Sequence, residues 1–283
     1  MTRIKVSSII CITTSNTNDT GKTAAATVAA VHGTPVKKRG LIMGNKVMLE
    51  IKNYSKTYGE GAKAADNVCL TVESGDIYGF IGHNGAGKST TIRAVVGVLD
   101  FTEGDIFIDG HSVKTDAYEC KKITAYIPDN PDLYENLTGI QYLNFIADVF
   151  GIGVSEREER ISDYAARFEI TDALGDQISS YSHGMKQKLA IISALIHKPK
   201  LMVLDEPFVG LDPKASFILK QIMHEMCEEG TAIFFSTHVL DVAEKLCNKV
   251  AIIKKGRIIA SGTMDELTQG ASLEDVFLEV VDE

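Results

Sequence analysis

From residue 43 onward, short aliphatic and β-branched runs alternate with stretches whose apolar positions recur at helical spacing, a pattern that predicts strands joined by helices. Strand-like runs fall at residues 47–52, 68–72, 77–81, 105–108, 124–127, 201–204, 232–236, 250–253 and 257–260. Leu201-Met202-Val203-Leu204 lacks polar alternation, as a strand covered on both faces requires. No strand-like run occurs between residues 130 and 196, so a helical insertion is expected between two strands of the sheet. Within it, Ser155 and Glu158 have the spacing of a capping box that would open a charged helix. The fold class read from this order is α/β with a largely parallel sheet.

Composition narrows the function classes. Hydrophobic residues make up 45% of the 283, charged residues 24% and aromatics 7%, which is ordinary globular usage and argues against wholesale disorder. The best apolar run, residues 189–196, stops at His197-Lys198-Pro199-Lys200, well short of the roughly 18 to 20 residues of a spanning helix. No membrane span is therefore expected. A net charge of −9 disfavours broad attachment to nucleic-acid phosphate, so direct nucleic acid binding is not expected. The five cysteines are far apart and form no C-x-x-C pair, which suggests neither zinc nor a disulfide framework and fits a reducing compartment.

Residues 1–42 stand apart, with six basic residues against one acid and 11 Ser or Thr. They read as an N-terminal extension, disordered or not native to the fold, with Met43 as an alternative start of translation. Gly21-Lys22-Thr23 inside it imitates the end of a phosphate loop but lacks the earlier glycine.

The chemistry begins at Gly82-His83-Asn84-Gly85-Ala86-Gly87-Lys88-Ser89-Thr90, within the pattern G-x-x-x-x-G-K-[ST]. An apolar strand precedes it and a helical run follows. Glycines let backbone N–H groups turn inward around phosphate oxygens, and the helix N-terminus adds partial positive charge. Lys88 would reach the terminal phosphates, Ser89 would ligate Mg²⁺ and Thr90 would support the α-phosphate. A second signal is Asp205-Glu206 at the carboxyl end of the 201–204 strand, the edge at which ligands bind in open sheets. Asp205 is placed to hold Mg²⁺ through water, and Glu206 to polarise the attacking water as general base.

The order of these motifs resembles the nucleotide-binding subunit of ATP-binding cassette (ABC) transporters over about residues 46–283. Further segments carry the resemblance. Tyr181-Ser182-His183-Gly184-Met185-Lys186-Gln187 is similar to the family's signature loop and keeps Ser182 and Gly184. Independently of the name, Ser182 is a good N-cap and the N–H groups after it form an anion site. Gly210-Leu211-Asp212-Pro213 looks like the D-loop, although proline after Asp212 equally suits a turn opening a helix. His238 falls where the switch histidine would contact the γ-phosphate and hold Glu206 in register. Tyr58 occupies the place of the aromatic that stacks on adenine, with a core aromatic as the other reading. Where the family usually has glutamine, Tyr126-Ile127-Pro128-Asp129 puts Asp129, whose carboxylate would bind the metal directly or through water. Ser272-Leu273-Glu274-Asp275-Val276-Phe277-Leu278 resembles subunits serving exporters with a separate permease.

The resemblance implies a P-loop NTPase over residues 43–283, with an antiparallel β portion near its N-terminus and a helical subdomain inserted at about 130–196. Two copies of the subunit would sandwich two Mg-ATP molecules, each between one copy's phosphate loop and the other's Ser182 to Gly184 loop. The dimer would power a separate transmembrane permease, in the export direction, from the cytoplasmic face of the cell membrane. The competing class is a soluble cassette ATPase acting on ribosomes or nucleic acid. Such proteins carry two cassettes, coiled-coil inserts or zinc modules, whereas this chain has one phosphate loop, no heptad insert and no cysteine cluster. A nucleotide-binding regulator without turnover is opposed by the presence of Glu206 and His238.

Overall fold

In a computed structural model, residues 46–59 and 61–282 are described. The extension at residues 1–42 and its Gly21-Lys22-Thr23 lie outside them. The described residues form ten strands: β1 (Val47–Thr57), β2 (Lys63–Glu73), β3 (Ile77–Ile81), β4 (Glu103–Ile108), β5 (His111–Ser112), β6 (Thr124–Ile127), β7 (Leu201–Asp205), β8 (Ala232–Thr237), β9 (Lys249–Lys254) and β10 (Arg257–Thr263). Nine helices accompany them: α1 (Lys88–Val95), α2 (Ala117–Ile123), α3 (Gly139–Val149), α4 (Val154–Arg167), α5 (His183–Leu195), α6 (Pro213–Glu228), α7 (Leu240–Leu246), α8 (Met264–Thr268) and α9 (Leu273–Asp282).

The larger sheet runs β10-β9-β3-β8-β7-β6, parallel except for β10, and the smaller runs β2-β1-β4-β5 and is antiparallel throughout. All nine expected strands are present. β1 and β2 extend well beyond the apolar runs that signalled them, because Asn53 and Asn67 take left-handed backbone (φ 51° and 54°) and bond to each other at 2.9 Å beside a shift in register. Asparagine is among the few residues that accept this conformation.

The parallel sheet is covered on both faces, and its side chains alternate between two cores. On β3, Ile77 and Ile81 join the core shared with α3 to α7 and α9, whereas Tyr78 and Phe80 join the core beneath the antiparallel sheet and α1. Tyr78, Phe80 and Phe234 pack together there, with ring centroids 5.4 and 6.1 Å apart. This double burial fixes the depth of β3, and hence where the loop after it emerges.

Between β6 and β7 the described residues form helices joined by turns, with one isolated bridge, Thr138 to Gln177. The capping box expected at Ser155 is not formed. Gly153 is the N-cap of α4 and Ser155 lies inside the first turn. The box in this region is instead Thr138 with Gln141, opening α3.

Candidate active site

The phosphate-loop sequence leaves β3 and enters α1 through two tightly packed glycines. A Cβ on Gly82 would sit 2.5 Å from the carbonyl oxygen of Ile253 on β9, and one on Gly87, at φ 110°, would overlap the carbonyl oxygen of Ala64. The loop is thereby seated between β9 and the β1–β2 hairpin. Tyr54 on that hairpin donates to the Thr90 carbonyl at 3.3 Å, and Gly256 N–H donates to the Ala86 carbonyl at 2.8 Å.

Lys88, the first residue of α1, turns back over the loop. Its Nζ donates to the carbonyls of Gly82 at 2.7 Å and His83 at 3.3 Å, and lies 3.6 Å from Glu206 Oε1. The lysine is buried and the glutamate nearly so. A cation held by backbone carbonyls and one carboxylate is ready to exchange part of that set for phosphate oxygens.

The acids come from β7, one strand removed from β3, with β8 between them. Asp205 is fully buried; Ser236 on β8 donates to its Oδ1, and its Oδ2 has no hydrogen-bond partner among the described residues. Glu206 takes left-handed backbone (φ 49°), a strained choice for a non-glycine residue, and its N–H reaches both the carbonyl and the hydroxyl of Ser236 at 3.2 Å. That turn separates the two carboxylates: Asp205 stays in the sheet while Glu206 swings to Lys88. His238 follows β8, its loop shaped by a Thr237 hydroxyl that accepts the Val239 N–H at 3.0 Å, and its Nδ1 lies 2.9 Å from Glu206 Oε1.

A cleft of about 230 Å³ gathers Asn84, Gly85, Gly87, Lys88, Ser89, Thr90, Asp129 and Glu206. Asp129 thus arrives from the β6 end at the phosphate loop. The unpartnered Asp205 oxygen, the Ser89 hydroxyl and the Asp129 carboxylate are hard oxygen donors of the kind Mg²⁺ accepts. Among the described residues no three acids, histidines or cysteines converge as an all-protein cage, so water and phosphate would complete the coordination.

The structure does not bring Ser182, Gly184 and Asp212 to this cleft but assembles them beside one another. Ser182 is the N-cap of α5, accepting from Met185 N–H at 3.3 Å, and Asp212 is the N-cap of α6, accepting from Ala215 N–H at 2.8 Å. Lys188 Nζ lies 2.9 Å from Asp212 Oδ2; the Ala215 N–H and then Lys188 hold that carboxyl below the usual range. A Cβ on Gly184 would stand 3.0 Å from the Gly210 carbonyl, and one on Gly210 (φ 81°) would stand 2.5 Å from the His183 ring. Tyr58 is half exposed past the end of β1, with Lys56 Nζ 5.5 Å from its ring centroid, and does not line the cleft. Sequence reasoning missed Ser236, which bonds both acids, and Lys188, which pairs with Asp212. The first stood in plain view beside His238, while the second is one helical turn past Gly184 and shows its role only through the fold.

A family model described as ABC transporter matches residues 65–209. The ABC-type transporter ATP-binding protein EcsA of Bacillus subtilis (strain 168) is 36% identical over 241 residues, covering 83% of this chain and 97% of that protein. The linearmycin resistance ATP-binding protein LnrL of the same organism is 31% identical over 220 residues, covering 78% and 70%. A solved structure titled as the ATP binding subunit of an ABC transporter superposes with a TM-score of 0.79 at 36% identity, covering 82% of this chain and 99% of that one. With a phosphate loop, a strand-end acid pair and a histidine at the next strand end, the chain belongs to the ATP-binding subunits of ABC transporters, a family that hydrolyses ATP.

Proposed function

We propose that residues 43–283 form the ABC ATPase domain, with a helical subdomain inserted at about 130–196, and that two copies close around two Mg-ATP molecules to drive a separate transmembrane permease. The observation that carries the reading is the convergence of Lys88 and His238 on one oxygen of Glu206 at the mouth of the phosphate-loop cleft. The phosphate-loop residues Gly82 to Thr90 bind the nucleotide's phosphates. Tyr58, half exposed past the end of β1, stacks on adenine.

Mg²⁺, held by Ser89, Asp205 and Asp129, would neutralise charge developing on the phosphates and orient them. Lys88 draws the γ-phosphate toward Glu206 and balances negative charge there. Glu206 accepts a proton from the attacking water, and His238 fixes the carboxylate's direction and contacts the γ-phosphate. Ser182 and Gly184 carry the second anion site, where the leading N–H groups of α5 face the other copy's nucleotide. Asp212, beside them, carries the contact across the dimer.

No described helix is long and apolar enough to cross a membrane, which is consistent with peripheral attachment through the permease on the cytoplasmic face. Export is favoured by residues 272–278 and by a relative named for resistance to a compound. The test is to purify the tagged full chain from detergent-solubilised membranes and from the soluble fraction and identify what accompanies it. A polytopic membrane protein in stoichiometric amount supports the reading. Recovery only with ribosomes or nucleic acid would keep the ATPase and overturn the transport assignment.

A further inference from the structure

The carboxyl-terminal helix α9 is fastened to the rest of the fold at both ends. At its start, Asp275 N–H donates to the Ser272 hydroxyl at 3.1 Å, and Leu273 N–H donates to Glu244 Oε2 on α7 at 2.9 Å. Near its end, Lys254 at the close of β9 donates to the Val281 carbonyl, a cation at the helix C-terminus where one is favoured. Leu273, Val276 and Phe277 are buried in the core, while Leu278 is exposed. A helix held this way presents a fixed face.

On that face Phe277 meets a residue of the phosphate loop. Its ring and that of His83 stand edge to face, with centroids 5.0 Å apart and planes at 74°. The carbonyl of His83 and that of its neighbour Gly82 are the two that hold Lys88 Nζ. Gly82 is packed from another side against Ile253 of β9. Strand β9 and helix α9 therefore clamp the two residues whose carbonyls aim the lysine.

We infer that Phe277 is a positioning residue for nucleotide binding: its ring seats His83, and the seated His83 backbone sets where Lys88 meets the phosphates. The inference rests on Lys88 being the phosphate-binding cation. Glu206 and His238 hang from β7 and β8, and among the described residues neither bonds to α9. Loss of the Phe277 ring therefore weakens nucleotide affinity while leaving the chemistry of bound nucleotide in place. The size of one edge-to-face aromatic contact sets the effect at about threefold to tenfold.

The experiment uses the full chain and five variants: Phe277→Leu, which keeps apolar bulk without a ring, Phe277→Tyr, which keeps the ring, His83→Ala, the double variant of Phe277→Leu with His83→Ala, and Lys88→Ala as reference. Kd for ADP is read by calorimetry, KM and kcat for ATP by phosphate release, and folding by thermal melting. Phe277→Leu is expected to raise Kd and KM by about threefold to tenfold with kcat within about twofold, His83→Ala to raise Kd to a similar extent, and the two changes together to raise Kd no further than either alone. Phe277→Tyr is expected to match wild type. Unchanged Kd in Phe277→Leu, or effects that add independently in the double variant, would overturn the inference. If Phe277→Leu does not fold, His83→Ala on the exposed loop decides the matter, and wild-type affinity there is equally fatal. Wild-type chain that binds no nucleotide, or Lys88→Ala that binds normally, would instead overturn the underlying reading of the site and the inference with it.

Discussion

His238 Nδ1 lies 2.9 Å from Glu206 Oε1, a contact that joins the ends of the adjacent parallel strands β8 and β7. The same carboxylate oxygen faces Lys88 Nζ at 3.6 Å, so the glutamate is aimed from two sides. Glu206→Gln keeps the size of the side chain and an oxygen for His238 but cannot accept a proton. The variant should retain ATP affinity within about threefold, lose about 10² to 10⁴ in kcat and accumulate closed dimers in ATP. Phosphate release, calorimetry and size-exclusion chromatography check the three parts, and wild-type turnover would remove Glu206 from the role of base.

Asp129 shares the cleft with Ser89 and Glu206 and brings a carboxylate to it. A charged oxygen binds Mg²⁺ more strongly than an amide oxygen does. Asp129→Ala should therefore raise the Mg²⁺ concentration for half-maximal ATP binding by about tenfold, and Asp129→Gln by less. Calorimetric ATP titrations at stepped Mg²⁺ read this without relying on turnover. Superimposable curves for all three proteins would show that Asp129 does not reach the metal.

Gly85 and Gly87 both have positive φ, at 80° and 110°, but differ in their surroundings. A Cβ on Gly85 meets nothing within 4 Å, whereas one on Gly87 runs into the backbone of Ala64. Gly85→Ala should cost only the left-handed backbone penalty, about 1 to 2 kcal/mol. Gly87→Ala adds a clash with a carbonyl that cannot step aside, for a total of about 3 kcal/mol or more. Urea denaturation of the two variants checks the difference, and equal losses would refute the seating of the loop against the β1–β2 hairpin.

What the sequence made legible follows from how locally each feature is determined. Leu201 to Leu204 announces a doubly covered strand because every position is apolar, and Gly82 to Thr90 announces its loop because its glycine, lysine and hydroxyl positions match a pattern that phosphate binding demands. The Ser155 spacing misled because Gly153 already provides the extended N-cap backbone of α4, while Thr138 and Gln141, with equivalent spacing, took the box. The extra length of β1 is invisible in hydropathy because Asn53 bends through a bulge that polar residues tolerate. Ser236 under the two acids, Lys188 on Asp212 and Phe277 on His83 depend on which strand ends and helix faces become neighbours. Strand order is not written in any one segment, so these pairs required the fold.

His197, between α5 and β7, stacks on Phe150 with ring centroids 3.8 Å apart and planes at 12°. Burial pushes its pKa down from 6.5 to about 4, the backbone at Thr124 and Ser193 opposing and the nearby Arg160 adding to the fall. The unfolded chain takes up this proton below about 6.5, but the folded chain only below about 4. Between those values the unfolded state holds more protons, so the contribution is fully present above the upper one and drains away as pH falls toward the lower. The loss approaches ~3 kcal/mol at most. His197→Phe keeps an aromatic stack on Phe150 and removes the titration, so it should lose less stability than wild type between pH 7 and pH 4, with the gap opening below about pH 6. Urea denaturation at stepped pH measures the gap directly and cancels the carboxylates common to both proteins. Parallel stability curves would mean that this histidine is not held neutral by the fold.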